Sequence, residues 1–440
     1  KVEKQKADMA FRTATKAIDS MFNRFVPDHD SVNESGAAIS PEVVELMESM
    51  LGYYEDIATR QGGGSELEFK SAQAQAKIAR IHHRLGQHLA AIDDYEAAIQ
   101  RLQKIGSDAS YLRLAEARLR NQLGRVFEVV NRTQESDQQH KLAIELLGSA
   151  NLTHEETVEL ARAHYLLARH VSSSESVDNI PPFRHRERRS ETVQSGNREL
   201  LITAAGMLDH VIETSPDNAS ARHLLGLCLV ELPRHSRRNR ESSDQFDRGI
   251  RLLRSLVEEK PNSVDYRFDL LQSLSFGPSH HEAMWDSELQ QLETQLKEAI
   301  ELGEALIREQ PGVPLYNLSL AHCYYKLRGV VDSMSVPRNQ RMKNRDESRR
   351  LNTRAIQLQS SVVHSHPEAI GYRVWLADFI LAKFDGYLHE RRPEKAHPML
   401  NRTIRVLEAI PVEQRQHPRI KERLDFAYDQ LDEFFIPVPD

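Results

Sequence analysis

Apolar residues recur along this chain at the three- and four-residue spacing of amphipathic helices, and no alternating strand pattern accompanies them. Prolines mark the breaks between the helical stretches. Four of them each follow one amphipathic stretch and precede another: Pro216, Pro261, Pro311 and Pro367, at spacings of 45, 50 and 56 residues. Because proline cannot continue a helix, the pattern predicts an array of helix pairs with a proline turn after each pair.

A shorter unit nearer the N-terminus indicates the kind of pair. Gly86 is predicted to form the turn between two helices, and Ala91, Tyr95 and Ala98 take small, large and small positions on the second helix. Small residues let two helices approach, and the aromatic ring fills the space between them. This arrangement is typical of the tetratricopeptide repeat, whose period is about 34 residues. Polar inserts account for the longer spacings, at residues 172–197, 231–245, 275–289, 328–347 and 385–392.

The sequence therefore predicts an all-α, right-handed α-solenoid of about seven tetratricopeptide-like helix pairs with long inserts, closed by a C-terminal helix. Three segments are expected. Residues 1–65 form a connector helix (1–26) and a helical lead-in. Residues 66–197 form compact repeats that end in an arginine-rich insert, and residues 198–440 form repeats with long inserts and the closing helix.

The composition argues against some classes of binding partner. The chain has 65 acidic and 58 basic side chains, a formal net charge of −7, which argues against a specific nucleic-acid binder. No apolar run approaches the roughly 20 residues of a membrane span, so no membrane insertion is predicted within this chain. Cys228 and Cys323 lie at the same repeat position in apolar stretches, which favours packing over chemistry. Composition does not fix the compartment, which stays open between the cytoplasm and the extracytoplasmic side of a membrane.

Catalytic motifs are missing from the sequence, so we expect neither an enzyme nor a cofactor. The glycine run at residues 62–64 lacks the Lys-Ser/Thr of a phosphate loop, and no His-Glu-x-x-His or Cys-x-x-Cys occurs. The alternative is an enzyme or metal-binding protein whose site is built from the inserts. Its best starting point is the pair His280 and His281 near Trp285.

Binding is the expected function, through a groove lined by the first helix of each pair. The repeat mapping predicts a cationic wall for a peptide carboxylate, made of Lys77, Arg80, Arg84, Asn121, Arg125, Arg162 and Arg169. A polar, water-filled groove is the alternative. Later first helices are more apolar and carry Tyr325 and Trp375.

The inserts suggest a second kind of partner. Arginine clusters occur at residues 184–189, 234–240 and 338–350. They predict an anionic ligand, such as an acidic protein, a phosphate or a lipid head group, with solvated loops paired to local acids as the alternative.

Residues 10–22, 114–124, 259–267 and 309–317 resemble the repeat-bearing C-terminal regions of planctomycete-type serine/threonine protein kinases and related sigma-factor-like proteins. The resemblance implies a regulatory or sensory region that follows a kinase domain and a membrane span. No kinase motif occurs in this chain. We expect residues 1–26 to continue upstream in the intact protein. The apolar face of this helix packs on the first repeat or pairs with a second copy as a weak homodimer.

Overall fold

The structure, a computed structural model, describes residues 65–435 with gaps at 107–108, 131, 149–150, 172–190, 236–239, 276–285, 312, 336, 338 and 368–369, and a few positions between 45 and 56. The regular elements in this part are helices. They are α1 (Ser65–Arg84), α2 (His88–Ile105), α3 (Ser110–Val129), α4 (Thr133–Leu147), α5 (His154–Val171), α6 (Glu191–Thr214), α7 (Ala219–Glu231), α8 (Arg240–Glu259), α9 (Val264–Ser275), α10 (Asp286–Glu309), α11 (Pro314–Ser333), α12 (Arg341–Ser365), α13 (Ile370–His389), α14 (Pro393–Glu408), α15 (Val412–Arg415) and α16 (Pro418–Phe435).

The helices form antiparallel pairs in two compact units. Unit 1 ends at Lys260 and contains the pairs α1–α2, α3–α4, α5–α6 and α7–α8. Unit 2 begins at Pro261 and contains α9–α10, α11–α12 and α13–α14, followed by the closing helix α16, which packs on α14. The prediction of an all-α array of about seven pairs with a closing helix is thus confirmed over the described residues. None of the described helices is both long enough and apolar enough to cross a membrane.

The proline turns lie where the sequence predicts them. The second helices α6, α8, α10 and α12 each end two residues before the proline, at Thr214, Glu259, Glu309 and Ser365. The next first helix begins three residues after it. The predicted turn residue between α1 and α2 is also correct, since Gly86 has φ +76°, a conformation that side chains with a Cβ rarely adopt.

Three predicted inserts are largely helical, which corrects their boundaries. Within residues 231–245, α7 ends at Glu231, a 3₁₀ helix covers Leu232–His235, and α8 begins at Arg240. α11 continues to Ser333 and α12 begins at Arg341, so the break within residues 328–347 covers only 334–340. α13 likewise runs to His389, and α14 starts at Pro393. The polar residues that suggested loops lie instead on exposed helix surfaces, where helical spacing does not require apolar side chains. α6 also runs through residue 197. The three-segment division, including residues 1–65, stays a prediction, and residues 1–44 lie outside the described part.

An ion pair closes the open end of two repeats, and the sequence reading missed it. The arginine six residues after one proline meets the glutamate two residues before the next. Arg222 of α7 donates to Glu259 of α8 at 2.7 Å, and Arg267 of α9 donates to both oxygens of Glu309 of α10 at 2.7 and 2.6 Å. We call this contact the clasp. It joins the start of a first helix to the end of its own second helix.

The Arg267 clasp predicts a pH-dependent stability for unit 2. Its hydrogen bond lowers the pKa of Glu309 below the ordinary 4.5. The stabilisation is therefore complete above that ordinary value and is lost as the pH falls through the lower folded pKa. We expect Arg267→Gln to lower the urea midpoint of unfolding at about pH 6, and the difference from the wild type to shrink as the pH falls below 4.5. Urea unfolding across this range checks the prediction, and a difference independent of pH contradicts it.

At two places in unit 1, a glycine lets the two helices of a pair pack closely together. An ideal Cβ on Gly249 of α8 would lie 2.8 Å from the carbonyl oxygen of Gly226 of α7. One on Gly124 of α3 would lie 2.6 Å from Cε1 of the buried His140 on α4. Real Cβ atoms do not approach so closely, so both glycines set the distance between the helices of their pair.

Candidate functional site

A pocket opens between the first helices α11 and α13 of unit 2. It has a volume of about 250 Å³ and is lined by Tyr325, Arg328, Trp375, Asp378, Leu381, Ala382 and Asp385. Ligand pockets usually measure about 300–1,000 Å³. This one therefore suits a side chain or two and is small for a nucleotide or another large cofactor.

Stacked aromatic rings form the floor of the pocket. The Tyr325 ring stacks on Phe379 with centroids 4.6 Å apart, and Trp375 lies 6.1 Å from the same ring. His322 meets the edge of Trp375 at 5.8 Å. Burial raises the pKa of Tyr325, so its hydroxyl stays protonated at neutral pH. The floor is thus aromatic, and these ring contacts hold it in place.

Two of the charged groups around the floor already have partners. The Arg328 guanidinium lies 4.9 Å from the centre of the Tyr325 ring, and its Nη1 is 3.3 Å from Asp332. Asp378 accepts two hydrogen bonds from Arg423 of α16, one of them at 2.9 Å. The closing helix therefore helps to orient one wall of the pocket.

Asp385 is the charged group that remains available. Its carboxylate makes no hydrogen bond or ion pair with any residue that the structure describes, and it lies at the exposed rim. Desolvation by its surroundings raises the pKa of the carboxyl, while His389 and Arg328 oppose that change. A cation that entered the pocket would satisfy this carboxylate.

Two residues of the predicted cationic wall are buried in the interior of unit 1. Asn121 is 1% exposed, and its amide donates to Glu159 Oε1 at 2.7 Å. Its oxygen faces Nδ1 of His140 at 3.0 Å. The Nε of Arg162 donates to the second oxygen of Glu159 at 3.2 Å. The first helices α3 and α5 pack side by side, which buries the positions that the repeat mapping assigned to the groove, so we leave Asn121 and Arg162 out of it.

The other predicted wall residues lie on three successive first helices. Lys77 and Arg80 of α1, Arg125 of α3 and Arg169 of α5 are partly exposed, and the Arg169 guanidinium lies 5.6 Å from the Tyr165 ring. Arg84 ends α1, but its side chain lies outside the described part. Contact of these side chains with one common ligand remains a prediction.

The described residues hold no group of three or more His, Cys, Asp or Glu side chains placed to bind a metal ion. His82 is instead 2.5 Å from Asp94, and His83 contacts His88. Both cysteines are buried, and burial raises the pKa of Cys323 to about 12, which disfavours the reactive thiolate. His280, His281 and Trp285 lie outside the described residues, so that proposed metal or catalytic site stays a prediction.

Comparison with known proteins gives a likeness of fold. No protein-family model matches the chain, and no curated protein matches it. Among solved structures it is similar to the S. pombe nuclear import adaptor Nro1, with 14% identity, a TM-score of 0.45, and coverage of 70% of this chain and 98% of that one.

Two other solved structures give similar values. A tetratricopeptide repeat protein from Parabacteroides merdae shows 12% identity and a TM-score of 0.35, with 82% of this chain and 99% of that one covered. A Rap protein in complex with Competence and Sporulation Factor shows 12% identity and a TM-score of 0.37, with 89% and 99% covered. Such scores carry no argument about what this chain binds.

The pocket contains residues that the sequence reading had noted only as apolar groove positions. Tyr325 and Trp375 were visible as aromatic residues on later first helices, but Arg328, Asp378 and Asp385 were not singled out. The available signal was an acidic residue seven positions after another on α13, since Asp378 and Asp385 share a helix face at that spacing.

Proposed function

We propose that this protein is a non-catalytic interaction scaffold that binds a peptide segment of a partner protein, and that the unit 2 pocket receives one of its side chains. The observation that carries the proposal is Asp385, a carboxylate at the rim of an aromatic floor that makes no hydrogen bond or ion pair with a described residue. Contact with an apolar side chain stabilises aromatic rings of this kind more than contact with water does.

The chemistry of the pocket favours a lysine or arginine side chain of the peptide. Its aliphatic stem would lie on Tyr325, Trp375 and Leu381, and its charged end would meet Asp385. Arg328 and Asp378 would contribute less, because each already has an opposite charge beside it. Burial of the stem and the new ion pair together account for selectivity for a basic residue.

Selection from a random peptide library tests this proposal. We expect the wild-type chain to enrich peptides with a basic residue at one fixed position. Asp385→Lys should abolish that enrichment, because it replaces the attracting charge with a repelling one. Sequencing of the selected pools gives the measurement, and titration of one selected peptide should show at least a tenfold loss of affinity in the variant.

Glu347→Lys is the matched control. It makes the same charge change at an exposed residue of α12 that has no described contact. It should select the same peptides as the wild type. A wild-type pool without a preferred basic position, or equal loss in both variants, would disprove the assignment of this pocket.

A second surface is proposed on unit 1, where Lys77, Arg80, Arg125 and Arg169 would receive an acidic group such as a peptide C-terminus. The same library, with free C-termini, extends the experiment. A triple variant with Arg80, Arg125 and Arg169 changed to Glu should lose acidic peptides and keep the basic ones. Identical pools from variant and wild type would contradict the unit 1 surface.

The family resemblance motivates a wider proposal, in which an upstream serine/threonine kinase is regulated by this binding region. The full-length gene sequence tests it directly. An upstream region with neither a kinase-like domain nor a membrane span would show that the resemblance misleads. The weak homodimer through residues 1–26, the His280–His281 alternative and the arginine cluster at 184–189 concern residues outside the described part. The cluster at 338–350 lies mostly on α12, where Arg349 pairs with Asp346 and Glu390. An anionic ligand at the arginine-rich inserts, the homodimer and the metal or catalytic site stay proposals.

A further inference from the structure

Two half-buried cations of unit 2 have no carboxylate partner in the described chain. The ammonium of Lys383 on α13 donates to the Thr353 hydroxyl of α12 at 3.1 Å. The Nη2 of Arg402 on α14 donates to the Ser360 hydroxyl of α12, also at 3.1 Å. Cations that leave water normally pair with an acid, since a hydroxyl carries no compensating charge. Both groups retain N–H donors beyond these single bonds.

The electrostatic environment of these two cations differs from that of the paired arginines. Burial lowers the pKa of Lys383, and Arg402 lowers it further; burial also lowers the pKa of Arg402, with Arg405 adding to the effect. Arg267 behaves in the opposite way, because the hydrogen bond to Glu309 raises its pKa. Each cation is therefore destabilised by burial and by a neighbouring arginine, and no anion among the described residues offsets this.

The stretches of α12 and α14 beside the two cations are basic, although Asp385 lies two residues from Lys383 on α13. Residues 350–365 of α12 and 395–407 of α14 contain no aspartate or glutamate, although the whole chain has a net charge of −7. Their charged side chains, histidines aside, are Arg350, Arg354, Lys395, Arg402 and Arg405. A local excess of cations in an acidic protein indicates a surface that attracts anions.

We propose that Lys383 and Arg402 form a binding site for a compact polyanion of the phosphate class where α12, α13 and α14 meet. The hydroxyls of Thr353 and Ser360 position the two cations, and the Thr353 hydroxyl itself donates to the Arg349 carbonyl oxygen at 2.7 Å. Thr353 and Ser360 are two helical turns apart, about 10 Å along α12, so the site is elongated. A single carboxylate would neutralise one cation only. Linked phosphoryl groups carry several charges and many acceptor oxygens, which match the spare donors of both cations.

Calorimetric titration of the full chain with inorganic tripolyphosphate tests this site. We expect saturable binding by the wild type and about a tenfold loss of affinity in Lys383→Met and in Arg402→Gln, because each removes charge-assisted hydrogen bonds. Arg308→Gln is the control, since it removes an exposed charge of α10 in the same unit. Its affinity should stay within about twofold of the wild type.

Two further measurements separate a site from a structural role. Without ligand, Lys383→Met should be at least as stable as the wild type, because it removes a half-buried, repelled cation. With tripolyphosphate, only the wild type and Arg308→Gln should gain thermal stability. The proposal is overturned if Lys383→Met loses stability while binding is unchanged, if the wild type shows no saturable binding, or if a glutamate-rich peptide binds as tightly as tripolyphosphate.

Discussion

Gly249→Ala is expected to unfold the last pair of unit 1 before anything else in the chain. The new methyl would meet the Gly226 carbonyl oxygen at 2.8 Å and the Val230 Cγ2 at 3.0 Å, so α7 and α8 must separate. Overpacking of this kind costs about 1–3 kcal/mol, more than the ~1 kcal/mol that alanine gains over glycine in a helix. The midpoint of unit 1 should fall by roughly 4–8 °C for about 2 kcal/mol.

Gly206→Ala supplies the control for this prediction. Gly206 is exposed on α6, and a Cβ there would meet nothing within 4 Å. That substitution should leave stability unchanged or raise it by up to about 1 kcal/mol. Hydrogen exchange followed by mass spectrometry locates the effect, because α7 and α8 should lose protection in Gly249→Ala while unit 2 keeps it. Equal stability of the two variants would mean that the two helices do not approach as described.

Glu159→Ala should have the second large effect, through the buried polar contacts of unit 1. The carboxylate accepts hydrogen bonds from Asn121 and Arg162, and its side chain is only 7% exposed. Removing it takes an acceptor from a buried amide and a counter-charge from a buried guanidinium. We expect a loss of about 3 kcal/mol in the free energy of unfolding by urea.

Glu135→Ala is the control for the expected loss of stability in Glu159→Ala. Glu135 pairs with Arg132 at 2.9 Å, but both side chains are over 40% exposed. Exposed pairs contribute about 0–1 kcal/mol, so this variant should resemble the wild type. A third variant, Glu159→Gln, keeps one acceptor oxygen for Asn121 but loses the charge and the second acceptor, which meets Arg162. Its stability should fall between those of the two alanine variants. If Glu159→Ala and Glu135→Ala cost the same, the buried contacts do not stabilise the unit.

Much of the fold follows from short-range signals that proline, glycine and small residues provide. Proline marks the ends of the second helices α6, α8, α10 and α12, and Gly86 marks the turn between α1 and α2. The predicted boundaries of the inserts were wrong where a helix continues with exposed polar residues, as at the start of α12. There the sequence pattern of an exposed helix and of a loop are nearly the same.

The candidate site was harder to predict because it depends on how helices pack beside one another. Asn121 and Arg162 occupy groove positions by repeat mapping, but the approach of α3 and α5 buries them around Glu159. The availability of Asp385 could not be read from sequence either. It depends on which neighbouring carboxylates already have an arginine, and the Arg423 that holds Asp378 is 45 residues away along the chain.

The position of the clasp allows the two repeats that have it to differ in length. The two clasps join the ends of a pair that adjoin the prolines, whereas the connection between the two helices lies at the opposite end. Residues can therefore be gained or lost in that connection over evolutionary time without displacing either partner of the clasp. The equivalent positions of the next pair are Asn317 and Ser365, both uncharged. In related chains, the connection between the two helices should consequently vary in length, whereas the two residues at the clasp positions should change together.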